Sequence, residues 1–217
     1  YQTLKTVEEL DALVDGGARS VVVGAFPGGG EGGAAAGVHR AAFVKAAETD
    51  TSDSVYVLVE EDGALMERLG APPYDVPSEE GGAIAHVSGR GKGSDPVVEH
   101  LAMGSVRSYA NVLLFASVHR LDMVTLWEDS KADELFAGLQ SDFLFGFEKA
   151  GVPASRSALF VAMEAAAPTF RTNNFHKPYA FVFVENTAVN QDLLEFFEVG
   201  ADTPLPTYRA VNLGTTE

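Results

Sequence analysis

The feature that most constrains this chain is that its pattern of buried strands and amphipathic helices occurs twice. The stretch "ELDALVDGGARSVVVGAF" matches "ADELFAGLQSDFLFGF", and "VYVLVEEDGALMERLG" matches "AFVFVENTAVNQDLLEFF". In this alignment Phe26 stands against Phe147, and Leu65 against Leu193. The period is too long for a solenoid, in which each repeat is a single supersecondary unit. It implies two copies of one domain, each about 100 residues long, with boundaries at 1–119 and 120–217.

The elements follow from local chemistry. Thr6 with Glu9 three positions on forms a capping box. A helix follows over 7–14, with Val7, Leu10, Leu13 and Val14 on one face. Residues 20–26 and 54–60 are β-branched runs that read as buried strands. Helices are predicted over 38–48, 64–69 and 108–118, and two strands over 83–87 and 97–102. "SGRGKGSDP" is the hairpin turn between those strands. The second copy reads as a strand at 124–127, a helix over 130–136 with Ser130 as its cap, and a strand over 142–147. A helix over 157–173, a strand over 179–185, a helix over 191–197 and a strand over 208–213 complete it. The second copy runs strand, helix, strand, helix, strand, helix, strand, and the first shares that order from its first helix onward and adds a strand and a helix. Alternation of this kind predicts an α/β fold with a parallel core sheet and helices on both faces. The last strands, entered through turns, pair antiparallel.

Charge and sulfur remove several function classes. The chain carries 31 acidic and 15 basic residues, a net −16, the opposite of what nucleic acid or an anionic membrane surface attracts. A basic partner or loosely held calcium is compatible with it. There is no cysteine, so disulfides, thiolate metal sites and thiol redox chemistry are closed to this chain. No apolar run approaches the roughly 18 residues that span a bilayer. No basic-then-apolar leader pattern opens the chain. It starts and stops within patterned sequence, which gives the expectation of a piece of a longer protein.

Three stretches carry a resemblance. "VEELDALVDGGARSVVVGAF", "DPVVEHLAMGSVRSYANVLLFASVHRLDMVTLWEDSKADELF" and above all "DLLEFFEVGADTPLPTYRAVNL" resemble tandem thioredoxin-like domains of protein disulfide isomerases. The first copy is similar to the b domain and the second to the b′ domain, the two non-catalytic central domains. The resemblance implies a central mixed sheet flanked by helices in each copy. It implies a cis proline before the strand that follows the third helix, for which Pro206 is the candidate. Pro77 lies too far ahead of Ala83 to serve in the first copy. A full b′ domain adds a strand and a helix after Leu213, so the second domain is expected to be truncated at its C-terminal end. In catalytic relatives Cys-x-x-Cys follows the second strand. Here those positions hold "FPGGGEGG" and "FEKAGVP", so no enzyme activity and no cofactor are expected of this chain, while its full-length parent is expected to be an isomerase.

The resemblance also implies a client-binding function. In b′ domains a hydrophobic pocket between the first and third helices binds exposed apolar segments of unfolded proteins. The matching positions are Trp127, Ala132, Phe136, Leu193, Phe196, Phe197 and Leu213. The first copy has aliphatic residues near its third helix, Leu65, Met66 and Leu69. The implied partners are unfolded or partly folded client proteins and flanking catalytic thioredoxin domains, and the implied location is the lumen of the endoplasmic reticulum. The remaining motifs read as structure. "GAFPGGGEGG" lacks the Lys-Ser/Thr ending of a phosphate loop, and "GRGKG" is a turn. His39, His86, His100, His119 and His176 include no close ligand pair, so no metal site is expected. Glu60-Glu61-Asp62, Glu79-Glu80 and Glu128-Asp129 lack EF-hand spacing. The alternative is a calsequestrin-like calcium buffer, built from repeated acidic thioredoxin-like domains.

Overall fold

The computed structural model describes residues 1–16, 18, 20–26, 34–59, 63–69, 82–88, 97–101, 103–136, 141–173 and 179–213. The loop after Phe26, the turn around "GRGKG", Pro77, His176 and the acidic clusters at 60–62 and 79–80 lie outside them. The chain divides into two compact units, Tyr1–Arg120 and Leu121–Glu217.

The first unit holds β1 (Gln2–Leu4), α1 (Val7–Asp15), β2 (Val21–Ala25), α2 (Ala34–Thr49), β3 (Val55–Val59), α3 (Gly63–Arg68), β4 (Ala83–Ser88), β5 (Val97–Leu101) and α4 (Tyr109–Arg120). Its sheet order is β1-β3-β2-β4-β5. β3 runs parallel to both β1 and β2, while β4 is antiparallel to β2 and β5 to β4. The Thr6 hydroxyl accepts the Glu9 N–H at 3.3 Å, and the Glu9 carboxylate accepts the Lys5 N–H at 2.7 Å. The cap therefore forms, with its return bond one residue earlier than the usual box. On one sheet face Leu10 of α1 and Leu65 and Leu69 at α3 pack against Val21, Val23, Ala25, Val57 and Val59. On the other, Phe43 of α2 meets Phe26 and Tyr56 edge-on, at 5.8 and 5.6 Å between ring centroids.

The second unit holds β6 (Thr125–Leu126), α5 (Ala132–Phe136), β7 (Asp142–Lys149), α6 (Ala158–Asn173), β8 (Tyr179–Asn186), α7 (Gln191–Phe196) and β9 (Thr207–Asn212). The sheet order is β6-β8-β7-β9, with β9 antiparallel to β7 and the other pairs parallel. The Leu205–Pro206 peptide is cis. Ser130 is not a helix cap, because it lies inside the 3-10 turn Asp129–Lys131 that precedes α5. Among the described residues this sheet has four strands where the first has five.

Strand register corrects the alignment of the two copies. Gly24 pairs with Leu58 on β3, and Gly146 pairs with Phe183 on β8. Glycine thus stands for glycine, and Phe147 corresponds to Ala25, not to Phe26. The reason is steric. A Cβ on Gly24 would come within 2.9 Å of Phe43 on α2, and one on Gly146 would collide with Met163 on α6. In both units a long helix lies so close to the second strand that a side chain has no room. Phe143, Phe145 and Phe147 therefore occupy the sheet face that Val21, Val23 and Ala25 occupy in the first unit.

Tyr56 carries a consequence for alkaline stability. Burial raises its hydroxyl well above the ordinary tyrosine range. The Asp50 carboxylate adds to this by repulsion and by accepting the Tyr56 O–H at 2.8 Å, and Arg120 acts in the opposite sense. The folded-state value is raised, so the stabilisation is present below the unfolded value of about 10 and is lost as pH rises above it. One of the six tyrosines is expected to stay un-ionised until the protein unfolds, which alkaline absorbance titration beside circular dichroism would show. Full ionisation of all six in the folded protein would contradict it.

Candidate functional site

In the second unit the apolar residues form a connected layer of rings. β7 places Phe143, Phe145 and Phe147 on one sheet face, because side chains alternate along a strand. Trp127, just beyond β6, is fixed by its backbone N–H donating to the Phe183 carbonyl at 2.8 Å. Its ring centroid lies 6.1 Å from Phe136 and 6.4 Å from Phe145. Phe136, at the end of α5, meets Phe143 edge-on at 5.4 Å. Phe197 follows α7 and lies 4.5 Å from Phe145 and 5.4 Å from Phe147. Phe196 stands at 87° to Phe197, 5.0 Å away. The rings run without a break from Phe136 to Phe196.

Only the two ends of this layer reach solvent strongly. Phe136 is 42% exposed and Phe196 68%, whereas Phe197 is 8% exposed and belongs to the core. Trp127, Leu193 and Leu213 are half-buried and pack against the same core, and Ala132 is half-buried at the start of α5. The seven residues thus divide into one core ring, four partly covered positions and two exposed aromatic ends. Leu126, 43% exposed, adds apolar surface beside Trp127 that the sequence did not single out. Trp127 Nε1 is buried with no hydrogen-bond partner among the described residues. An unmet buried donor costs about 1–3 kcal/mol. The segments that carry these rings also carry exposed carboxylates: Glu128, Asp129, Asp133, Asp192, Glu195 and Glu198.

At the end of β7 the second unit has a buried lock. The Ser157 hydroxyl donates to Glu148 at 2.7 Å and accepts the Phe160 N–H at 3.1 Å, so it both caps α6 and satisfies the carboxylate. The Lys149 N–H donates to the other Glu148 oxygen at 2.9 Å. Nothing in this lock can exchange a disulfide.

One constellation was invisible in the sequence. In the first unit, His86, Glu99 and His119 converge. Their spacing carries no ligand motif, because the grouping depends on the β4–β5 register and on where α4 packs.

No family model matches the chain, and no curated protein does. Among solved structures the chain is similar to human ERp44 in its zinc-bound form, at 15% identity over 95% of this chain and 52% of that one, with a TM-score of 0.53. It is also similar to the bb fragment of ERp72 (11% identity, 96% and 82% covered, TM-score 0.44). A third is the pair of first two thioredoxin domains of Saccharomyces cerevisiae Eps1p (13% identity, 99% and 88% covered, TM-score 0.42). The likeness to ERp44 shows the fold: two thioredoxin-like domains in tandem. The chain spans about half the length of ERp44.

Proposed function

We propose that this chain is the non-catalytic b–b′ region of a protein disulfide isomerase, and that its second unit binds unfolded or apolar client segments while the pair of units spaces catalytic domains. The observation that supports this most is the ring layer from Phe136 to Phe196, exposed at both ends on a thioredoxin-like scaffold that has no cysteine. Exposed aromatic ends on a rigid layer supply contact area at low entropy cost. Trp127 Nε1 is the donor that a client's backbone carbonyl would satisfy once the rings part. The exposed carboxylates on the same segments favour clients with basic residues beside their apolar segment, and that selectivity weakens with salt. By the same reading the protein works in the lumen of the endoplasmic reticulum. Among the described residues no helix is long and apolar enough to cross a membrane.

The test is a pair of assays on the whole chain. It is expected to retain a reduced, unfolded client in a binding assay and to show no turnover in insulin reduction or in the reactivation of scrambled ribonuclease. Failure to bind any unfolded client, or turnover by protein free of contaminating isomerase, would overturn the reading.

A further inference from the structure

Three ligating groups from separate elements meet inside the first unit. His86 on β4 stands in register opposite Glu99 on β5. His119, in the last turn of α4, brings its Nδ1 to 2.8 Å from Glu99 Oε2, and its ring centroid lies 5.7 Å from that of His86. One ligand atom from each of the three lies within 4.8 Å of the others. His86 is fully buried, and the side chains of His119 and Glu99 are only 10% and 22% exposed.

A histidine–glutamate ion pair accounts for His119 and Glu99, and a second, fully buried imidazole stands beside them. His86 is also held by a chain of hydroxyls. Its Nε2 is 3.1 Å from the Ser20 hydroxyl, which is 3.1 Å from that of Ser54, to which Ser52 donates at 3.0 Å. Phe115 packs against His119 at 4.4 Å between centroids. Metal-binding imidazoles are oriented in this manner, one nitrogen held by a polar outer contact. Two imidazoles and one carboxylate suit zinc and its neighbours; calcium and magnesium take oxygen donors. Tetrahedral ligands at about 2.0–2.2 Å from a metal stand roughly 3.4 Å apart, so donors that already lie within 4.8 Å of one another close on an ion by changes of up to about 1.5 Å in their separations. We propose that His86, Glu99 and His119 bind one divalent transition-metal ion of the zinc class, which clips β4, β5 and α4 together and leaves a coordination position open.

The experiment is a calorimetric titration of the chelator-treated whole chain with zinc chloride, followed by cobalt chloride with visible absorption. With no cysteine in the chain, thiolates cannot supply the signal. One ion per chain is expected, together with a rise in melting temperature and a visible cobalt band of low-symmetry coordination. His119→Ala and Glu99→Gln should abolish the stoichiometric site. Ser20→Ala should weaken it by about 10–100-fold, and His100→Gln, an exposed neighbour on β5, should leave it unchanged. Should His119→Ala fail to fold by circular dichroism, Glu99→Gln decides, since it keeps the shape and a hydrogen bond to His119. No zinc binding, or several weak sites unaffected by Glu99→Gln, would overturn the proposal.

Discussion

Phe145→Ala is expected to lower the stability of the second unit by about 3–5 kcal/mol. Phe145 is almost fully buried at the centre of the ring layer. It meets Trp127, Phe143, Phe147 and Phe197 at 6.4, 5.9, 6.4 and 4.5 Å between centroids. Truncation removes the transfer energy of the ring and leaves a cavity lined by aromatics that are held by the sheet and cannot collapse into it. The loss is a large part of the 5–15 kcal/mol that a domain usually has. Val23→Ala, its counterpart in the first unit, removes far less volume and should cost correspondingly less. Trp127 is the only tryptophan, so denaturant unfolding followed by its fluorescence reports the second unit alone. A loss below about 1 kcal/mol for Phe145→Ala would mean that the ring layer is not a packed core.

Replacing the two exposed ends should have the opposite profile. Phe196→Ala removes a ring that is largely in water and Phe136→Ala one that is partly so, so stability should change less than in Phe145→Ala, and least for Phe196→Ala. Client binding should weaken by about 1–3 kcal/mol for each, since truncated aromatic anchors dominate interface energetics. Val38→Ser, at an exposed apolar position of α2 in the first unit, should leave binding unchanged. The affinity of folded Phe136→Ala and Phe196→Ala chains for an unfolded client decides the matter. Binding equal to the parent in both would remove this surface from the account.

Much of the architecture was legible because the inner strands advertise themselves. "SVVVGAF", "VYVLV" and "AFVFVE" are continuous runs that only a sheet covered on both faces buries. β1 carries no such signal. It is an edge strand of three residues in which Leu4 alone is buried. The alignment of the copies slipped at Phe147 because matching aromatic to aromatic ignored the two glycines, whose helices dictate the register. Adjacent Phe196 and Phe197 look equivalent in sequence. Helical geometry separates them, because Phe197 lies one turn beyond Leu193 and its N–H bonds the Leu193 carbonyl at 3.1 Å, while Phe196 points away. The grouping of His86, Glu99 and His119 was beyond reach, since it requires knowing which residue of β5 faces which residue of β4.

The central claim is that the second unit captures apolar chain segments at its ring layer, and Trp127 sits within that layer as the only tryptophan. The most direct measurement is therefore a fluorescence titration of the whole chain with an unstructured peptide that carries an apolar core and basic flanks. The account predicts a saturable shift in Trp127 emission, weakened in a folded Phe136→Ala chain and unchanged in Val38→Ser. An emission spectrum that does not move while the peptide binds, or the same titration curve in Phe136→Ala as in the parent, would contradict it.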